Sequence, residues 1–280
     1  MSRSVLLIGG TGFVGSALRR AFAGDERFSV TYSSSKGDAS NPRALAIDLL
    51  QPSSLAGVRS FDVVINLTGQ VTPSMELCTS LNTTGIANLI AALDPERQIL
   101  VQISTTQVYG TAKQADESSP LRPETPYAKA KASAESRVQQ GLPADQVLIP
   151  RLCNLYGPGQ TKGLPWYLTE CIRNSRPIVI ADHDGTLRRH FLHVDDAALI
   201  LHDLVSHAVT GIVNVAGSEC FSIREIIALC EGIVGRPLDV KYGSGSPHGN
   251  IDVLSTDKLS HLGSHHPTHR LEQYFRTQLL

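Results

Sequence analysis

The apolar run Val5-Leu6-Leu7-Ile8, followed at once by a glycine-rich turn, constrains this chain more than any other stretch. Four consecutive apolar residues suit a strand covered on both faces, the environment of a parallel sheet. Gly9, Gly12 and Gly15 then form a tight turn, and Val14, Leu18 and Phe22 recur behind it at helical spacing. A strand, a glycine turn and a helix in that order aim free backbone N–H groups at one point, where a pyrophosphate is stabilised. The same spacing also fits an ordinary turn, so the rest of the chain must decide.

Taken in order, the chain alternates strands and helices. Phe28–Tyr32 reads as a second strand, ending in Ser33-Ser34-Ser35-Lys36 with no acid in place to hold an adenosine 2′-hydroxyl. Small hydroxyls beside Lys36 tolerate a 2′-phosphate, which favours NADP, although a plain polar loop fits the same residues. A short strand over Ala44–Ile47 ends at Asp48-Leu49, where Asp48 either meets an adenine amino group or caps a turn. A fourth strand from Asp62 ends in Leu67-Thr68-Gly69, small enough at its end to admit a cofactor. Leu81–Leu93 reads as a helix with Asn82 near its start, which either bonds backbone, the structural role expected first, or captures a ligand, and Gln98–Ser104 reads as the fifth strand. With no hairpin signal up to residue 151, the expected fold is α/β: a doubly wound parallel sheet of Rossmann type over 1–151, with a smaller lobe over 152–280.

Composition narrows the function classes. A net charge of −1 with interspersed acids and bases leaves no basic stripe for nucleic acid. The five cysteines, Cys78, Cys153, Cys171, Cys220 and Cys230, are scattered and never in a C-x-x-C pair, so neither a disulfide framework nor a zinc site is expected. The N-terminal run is short for a signal peptide, and no later run reaches membrane-spanning length, so a soluble cytoplasmic protein is expected.

The residues with chemistry to offer follow the fifth strand. Thr105 and Thr106 stand at its carboxyl end, where such sheets bind ligands. Thr125-Pro126 then gives a good N-cap and first helical residue, which puts Tyr127 and Lys131 one turn apart on one helix face. An ammonium so placed is expected to lower the tyrosine's pKa and make it a usable acid and base. By spacing alone, an ordinary amphipathic helix fits equally well.

In combination these motifs resemble the extended short-chain dehydrogenase/reductase family, in its nucleotide-sugar epimerase, dehydratase and reductase branch. The matching stretches are Gly9-Gly10-Thr11-Gly12-Phe13-Val14-Gly15, Ser104 to Gly110, Tyr127 with Lys131, Asn154-Leu155-Tyr156-Gly157-Pro158, and Arg189 to Asp196. The resemblance implies a bound NAD or NADP held by Gly9, Gly12, Phe13, Val14, Gly15, Ser33, Asp48, Leu49, Leu67, Thr68 and Gly69, with Tyr127 and Lys131. It implies that Thr105 hydrogen-bonds the reacting sugar oxygen, that Tyr127 passes a proton to or from it, and that Lys131 holds the nicotinamide ribose. Thr106, Asn154 and Arg189 fall at positions that approach a nucleotide-sugar substrate, and family members often form homodimers.

Departures from the family pattern select among its reactions. The dehydratases carry an Asp-Glu pair where this chain has Thr106 and Gln107, and the 3,5-epimerising reductases a cysteine where Gln107 stands. What remains is redox chemistry at C4 of a nucleotide-linked sugar. Net reduction of a 4-keto sugar is the first expectation, supported by a short segment between Gly69 and Asn82. A 4-epimerase recycling bound NAD is the alternative, and a catalytically silent dinucleotide sensor has no use for Tyr127 and Lys131.

The C-terminal third has a looser pattern. Helices are expected over Trp166–Ile172, over Asp195–Val205 with aspartate caps, and from the capping box Ser222-Ile223-Arg224-Glu225 to Val234, with strands over Ile178–Ala181 and Ile212–Val215. Arg189 is expected in a loop. His261, His265, His266 and His269 invite a metal reading, but Pro267 interrupts them and no carboxylate lies at helical ligand spacing, so no metal is expected. A solvated turn leading into a last helix that buries Leu271 and Phe275 is expected instead.

Overall fold

The computed structural model describes residues 2–280 except 36–40, 42–43, 71–72, 181–183 and 245–248. The uninterrupted apolar run places β1 (Arg3–Ile8) in the middle of the main sheet, where Val5 to Ile8 are at most 1% exposed. Helix α1 (Phe13–Phe22) turns Gly15, Ala17, Leu18 and Phe22 inward. It leads to β2 (Phe28–Ser34), parallel to β1, and to the two-residue edge strand β3 (Leu45–Ala46).

The chain then crosses to the other side of β1. Strand β4 (Val63–Asn66) pairs there in parallel, and a helix in two parts follows, α2 (Met75–Ser80) and α3 (Ile86–Ala92), joined by a π turn at Leu81–Gly85. The helix therefore starts at Met75 and not at Leu81. Ser74 caps it by accepting from Leu77 N at 3.1 Å, a local signal that the weak apolar periodicity of 75–80 hides.

Beyond it come β5 (Ile99–Gln102), β6 (Ser104–Thr105), β7 (Ala112–Ala115), α4 (Pro126–Gly141) and β8 (Val147–Leu152). The second part of the chain adds β9 (Asn154–Tyr156), α5 (Leu164–Arg173), β10 (Ile178–Ile180), β11 (Arg188–His193), α6 (Val194–Ser206) and β12 (Gly211–Val215). It ends with β13 (Glu219–Ser222), α7 (Ile223–Val234), β14 (Val240–Tyr242), β15 (Ile251–Leu254), α8 (Asp257–His261) and α9 (Leu271–Leu279). The Ala181 end of the expected tenth strand lies outside the described residues.

The main sheet runs β12-β8-β5-β4-β1-β2-β3, and every pairing in it is parallel. This is the doubly wound sheet expected from the alternation of elements. Strand β12 returns from the second part of the chain to its edge, and the N-cap of α6 is His193, whose Nδ1 accepts from Asp195 N, in place of the expected aspartates. Two apolar cores lie on the sheet. One includes Leu18, Phe22, Ile200 and Leu201 of α1 and α6; the other includes Leu89, Ala134 and Val138 of α3 and α4. A third core belongs to the lobe, where Leu271 and Phe275 of α9 join Leu168 of α5 and Ile226 of α7. All five cysteines are free. Among the described residues no helix is long and apolar enough to cross a membrane.

Phe275 is fully buried at the centre of the lobe's core. Truncation of a buried phenylalanine costs about 3–5 kcal/mol, so Phe275→Ala is expected to lower stability by that amount in denaturant unfolding. A change below about 1 kcal/mol would show that the lobe does not depend on this core.

Candidate active site

The strand order reverses between β1 and β4, because the chain leaves β1 for β2 and β3 on one side and returns to β4 on the other. In open parallel sheets the crevice at the carboxyl ends of such a pair is where ligands bind. The glycine turn after β1 forms one wall. Gly9 adopts φ +84°, Gly10 N donates to Ser33 O at 2.9 Å, and Gly12 N donates to Gly9 O at 3.1 Å. A Cβ at Gly15 would lie 2.6 Å from Gly9 O, and one at Gly10 would lie 2.5 Å from Tyr32 Cβ. The turn thus closes only with glycine at these positions. Among the described residues no side chain caps α1, so the N–H groups of its first turn, which includes Phe13, Val14 and Gly15, have no side-chain acceptor. This backbone cradle fits a pyrophosphate.

The expected adenosine contacts are used partly in the fold. Ser33 is fully buried, with its hydroxyl unpartnered and its carbonyl holding Gly10. Asp48 Oδ1 accepts from Leu50 N at 2.9 Å, which is the turn-capping role, while Leu49 is buried against the second core and its carbonyl accepts from Asn88. Lys36 lies outside the described residues.

The opposite wall carries Tyr127 and Lys131. Thr125 caps α4 by accepting from Ala128 N at 3.1 Å, and Pro126 opens it, so Tyr127 and Lys131 share one face as their spacing predicts. Lys131 is 1% exposed, and its Nζ donates to Thr68 O at 2.9 Å and Ile103 O at 3.2 Å. Those carbonyls close the ends of β4 and β5. Burial pulls the ammonium down to about 8, against the opposing charges of Cys78 and Glu135. The half-buried Tyr127 donates to Gln70 Oε1 at 3.5 Å.

One expectation fails here. Burial pushes the Tyr127 hydroxyl above its ordinary value, and Cys78 adds to the rise, with only the Gln70 hydrogen bond opposing. Lys131 does not lower it, because the ammonium is directed at two backbone carbonyls and not at the phenol. Thr105 is buried at the end of β6, where its Oγ1 accepts from Gln107 N at 3.3 Å and caps the short turn that buries Thr106. Leu67 packs at the edge of the first core, and Gly69 takes φ +78° against Asn82.

Toward the lobe, Asn154 Nδ2 donates to His190 O at 3.2 Å. Arg189 lies in β11, not in a loop, and donates to the carbonyls of Gly249 and Arg188. Burial pulls its guanidinium down to about 10, with Glu124 and Cys220 opposing. The strand was illegible because its neighbours, β9 and β13, are remote in sequence.

Other residues at the site carried no sequence motif. Gln70 meets the tyrosine hydroxyl, and its place directly after Gly69 is the only signal for it. Asn82, in the π turn, donates to Gly69 O at 3.0 Å and Cys78 O at 2.8 Å, the structural role expected of it. Of the histidines near the C-terminus, His261, His266 and His269 are exposed, as a solvated turn requires, and His265 is half-buried. His265 Nε2 lies 2.9 Å and His269 Nδ1 3.1 Å from Asp196 Oδ1, and this fully buried carboxylate also accepts from the backbone of Thr268 and His269.

Comparison with known proteins agrees with this geometry. The model of a family described as "NAD dependent epimerase/dehydratase family" matches residues 5–216. The chain is 30% identical over 265 residues to the low-salt glycan biosynthesis protein Agl12 of Haloferax volcanii, covering 85% of each chain. It is 32% identical over 139 residues to a dTDP-glucose 4,6-dehydratase of Streptomyces griseus, a match that spans 46% of this chain and 41% of that protein. The structure of Thermus thermophilus UDP-glucose 4-epimerase in complex with NAD superposes with a TM-score of 0.82 at 25% identity, over 99% of this chain and 97% of that one.

The glycine cradle makes a direct prediction. Gly15→Ala would put a methyl group against the Gly9 carbonyl, with no flexible side chain to yield. The variant is expected to keep its helix content by circular dichroism and to lose at least about tenfold in affinity for NADH or NADPH in a fluorescence titration. Unchanged affinity for both would remove the turn from the cofactor site.

Proposed function

The chain belongs to the NAD dependent epimerase/dehydratase family, and on that footing we propose that it transfers hydride at C4 of a nucleotide-linked sugar, with net reduction of a 4-keto sugar as its reaction. The family is NAD dependent, and the glycine cradle fits the pyrophosphate of such a cofactor. The bound nicotinamide supplies the hydride. The remaining work falls to the chain's own residues.

The observation that carries this reading is the single helix face on which Tyr127 stands one turn from a buried Lys131, whose Nζ is fixed on Thr68 O and Ile103 O at the mouth of the crevice. In this reading Tyr127 delivers its proton to the C4 oxygen, Thr105 hydrogen-bonds the same oxygen, and Lys131 orients the nicotinamide ribose. A tyrosine that burial keeps protonated starts as a proton donor, which is the state a ketone reduction needs. Thr106 and Gln107 supply no carboxylate for elimination of water, so the dehydration performed by the Streptomyces relative is not proposed. Asn154 and Arg189 are assigned to the nucleotide end of the substrate.

A second reading, 4-epimerisation with a recycled cofactor, draws support from the likeness to the Thermus epimerase. Incubation with NADH or NADPH and a panel of 4-keto and 4-hydroxy nucleotide sugars separates the two. Reduction consumes the reduced cofactor in step with a 4-keto substrate. Interconversion of 4-hydroxy isomers without net cofactor turnover would contradict it.

In either direction Tyr127→Phe is expected to cut kcat by about 10²–10⁴-fold. Retained turnover would take the proton transfer away from Tyr127.

A further inference from the structure

A buried charge cluster lies directly behind the Tyr127–Lys131 face. Glu135 is one turn beyond Lys131 on α4 and fully buried, and Arg151 on β8 is 2% exposed. Arg151 Nη2 lies 2.6 Å and Nε 3.1 Å from the Glu135 carboxylate, while Arg151 Nη1 donates to the Tyr109 hydroxyl at 2.8 Å. Tyr109 passes the chain on to Asn214 Oδ1 at 2.7 Å. On its other side, Glu135 accepts a short hydrogen bond from Ser104 Oγ. Ser104 is the residue before Thr105 in β6, and β6 pairs with β8 in the register Ser104 opposite Arg151 and Thr105 opposite Leu152.

Burying ions is unfavourable unless each is paired and hydrogen-bonded, and a pair kept only for stability is replaceable by neutral residues of similar volume. This pair has two outlets into the site. The carboxylate lies one helical turn from an ammonium that has exchanged its water for two neutral carbonyls. It also holds the hydroxyl adjoining the residue assigned to the sugar oxygen.

We propose that Glu135, held by Arg151, is a positioning residue of the Tyr127–Lys131 site: one turn beyond Lys131, its carboxylate sets the field around the ammonium that rests on Thr68 and Ile103, and through Ser104 it fixes the strand end that carries Thr105. The proposal rests on the assignment of Tyr127, Lys131 and Thr105 given above. The charged and titratable groups acting on Lys131 are Cys78 from α2 and Glu135 from α4, with Arg151 of β8 behind the carboxylate and Tyr127 one turn before the lysine. Burial lowers the ammonium, and Glu135 opposes that fall. Removing the carboxylate therefore moves the loss of the Lys131 proton to lower pH.

The test uses the full-length protein labelled with ¹³C,¹⁵N-lysine. The Lys131 side chain is followed by NMR across a pH titration and identified by the signal missing from Lys131→Met. The variant is Glu135→Gln, which keeps the shape of the side chain and removes the carboxylate charge alone. The expected result is a Lys131 midpoint lower by about one pH unit, with the alkaline limb of the kcat profile shifted the same way. A folded Glu135→Gln variant whose Lys131 titrates as in the wild type would overturn the proposal and leave the pair a structural one. Should that variant not fold, Glu135→Asp keeps the charge but withdraws it by one methylene. A smaller fall in the midpoint supports the proposal, and an unchanged midpoint overturns it. The titration needs no substrate, so a failure of the nucleotide-sugar reading would show separately, as absence of turnover in a protein whose Lys131 still responds to Glu135.

Discussion

The Lys131 ammonium, fully buried and bound to the carbonyls of Thr68 and Ile103, is the interaction on which the site depends. It ties the middle of α4 to the ends of two neighbouring strands of the parallel sheet, β4 and β5. Such a contact is unfavourable for the lysine, since burial strips its water, and two neutral acceptors compensate only in part. The fold meets the requirement by bringing strand ends, whose last carbonyls lack sheet partners, to the crevice where the strand order reverses.

Around that contact the two halves of the crevice divide the work. The glycine turn contributes backbone alone, because a side chain at Gly10 or Gly15 would collide with Tyr32 or with the turn itself. The facing wall contributes side chains from α4 and from the end of β6, backed by the Glu135–Arg151 pair and its hydrogen bonds to Ser104 and Tyr109. Asn82, in the π turn between α2 and α3, holds the Gly69 carbonyl and so shapes the loop that follows β4. On the lobe side Asn154 of β9 donates to His190 O of β11, and Arg189 of β11 donates to the carbonyls of Arg188 and Gly249.

The parts legible in the sequence are those fixed by local spacing. The apolar run with its glycine turn, the Thr125-Pro126 helix start and the four-residue step from Tyr127 to Lys131 each depend on neighbours within a turn or two, and each stands where its spacing puts it. The parts that were not legible depend on partners far along the chain. Arg189 becomes a strand residue by pairing with Phe221 across the lobe, and His265 finds Asp196 at 69 positions' distance. The direction of the tyrosine's shift was missed for the same reason. A Lys four residues away can be counted, but how much water the fold removes from a phenol cannot. Glu135, another step of four along the same face, was open to counting, but its ion pair with Arg151 and its hydrogen bond from Ser104 were not.

Hydride transfer between a nicotinamide and C4 of the sugar is the claim on which the rest of this account turns, and isotope tracing reads it directly. The protein is incubated with a nucleotide-linked 4-keto sugar and NADH or NADPH carrying deuterium at both positions of nicotinamide C4, and the product is analysed by NMR and mass spectrometry. The account predicts one deuterium in the product, bound to sugar C4. Turnover that leaves C4 unlabelled, or that places the label on another carbon, would contradict it.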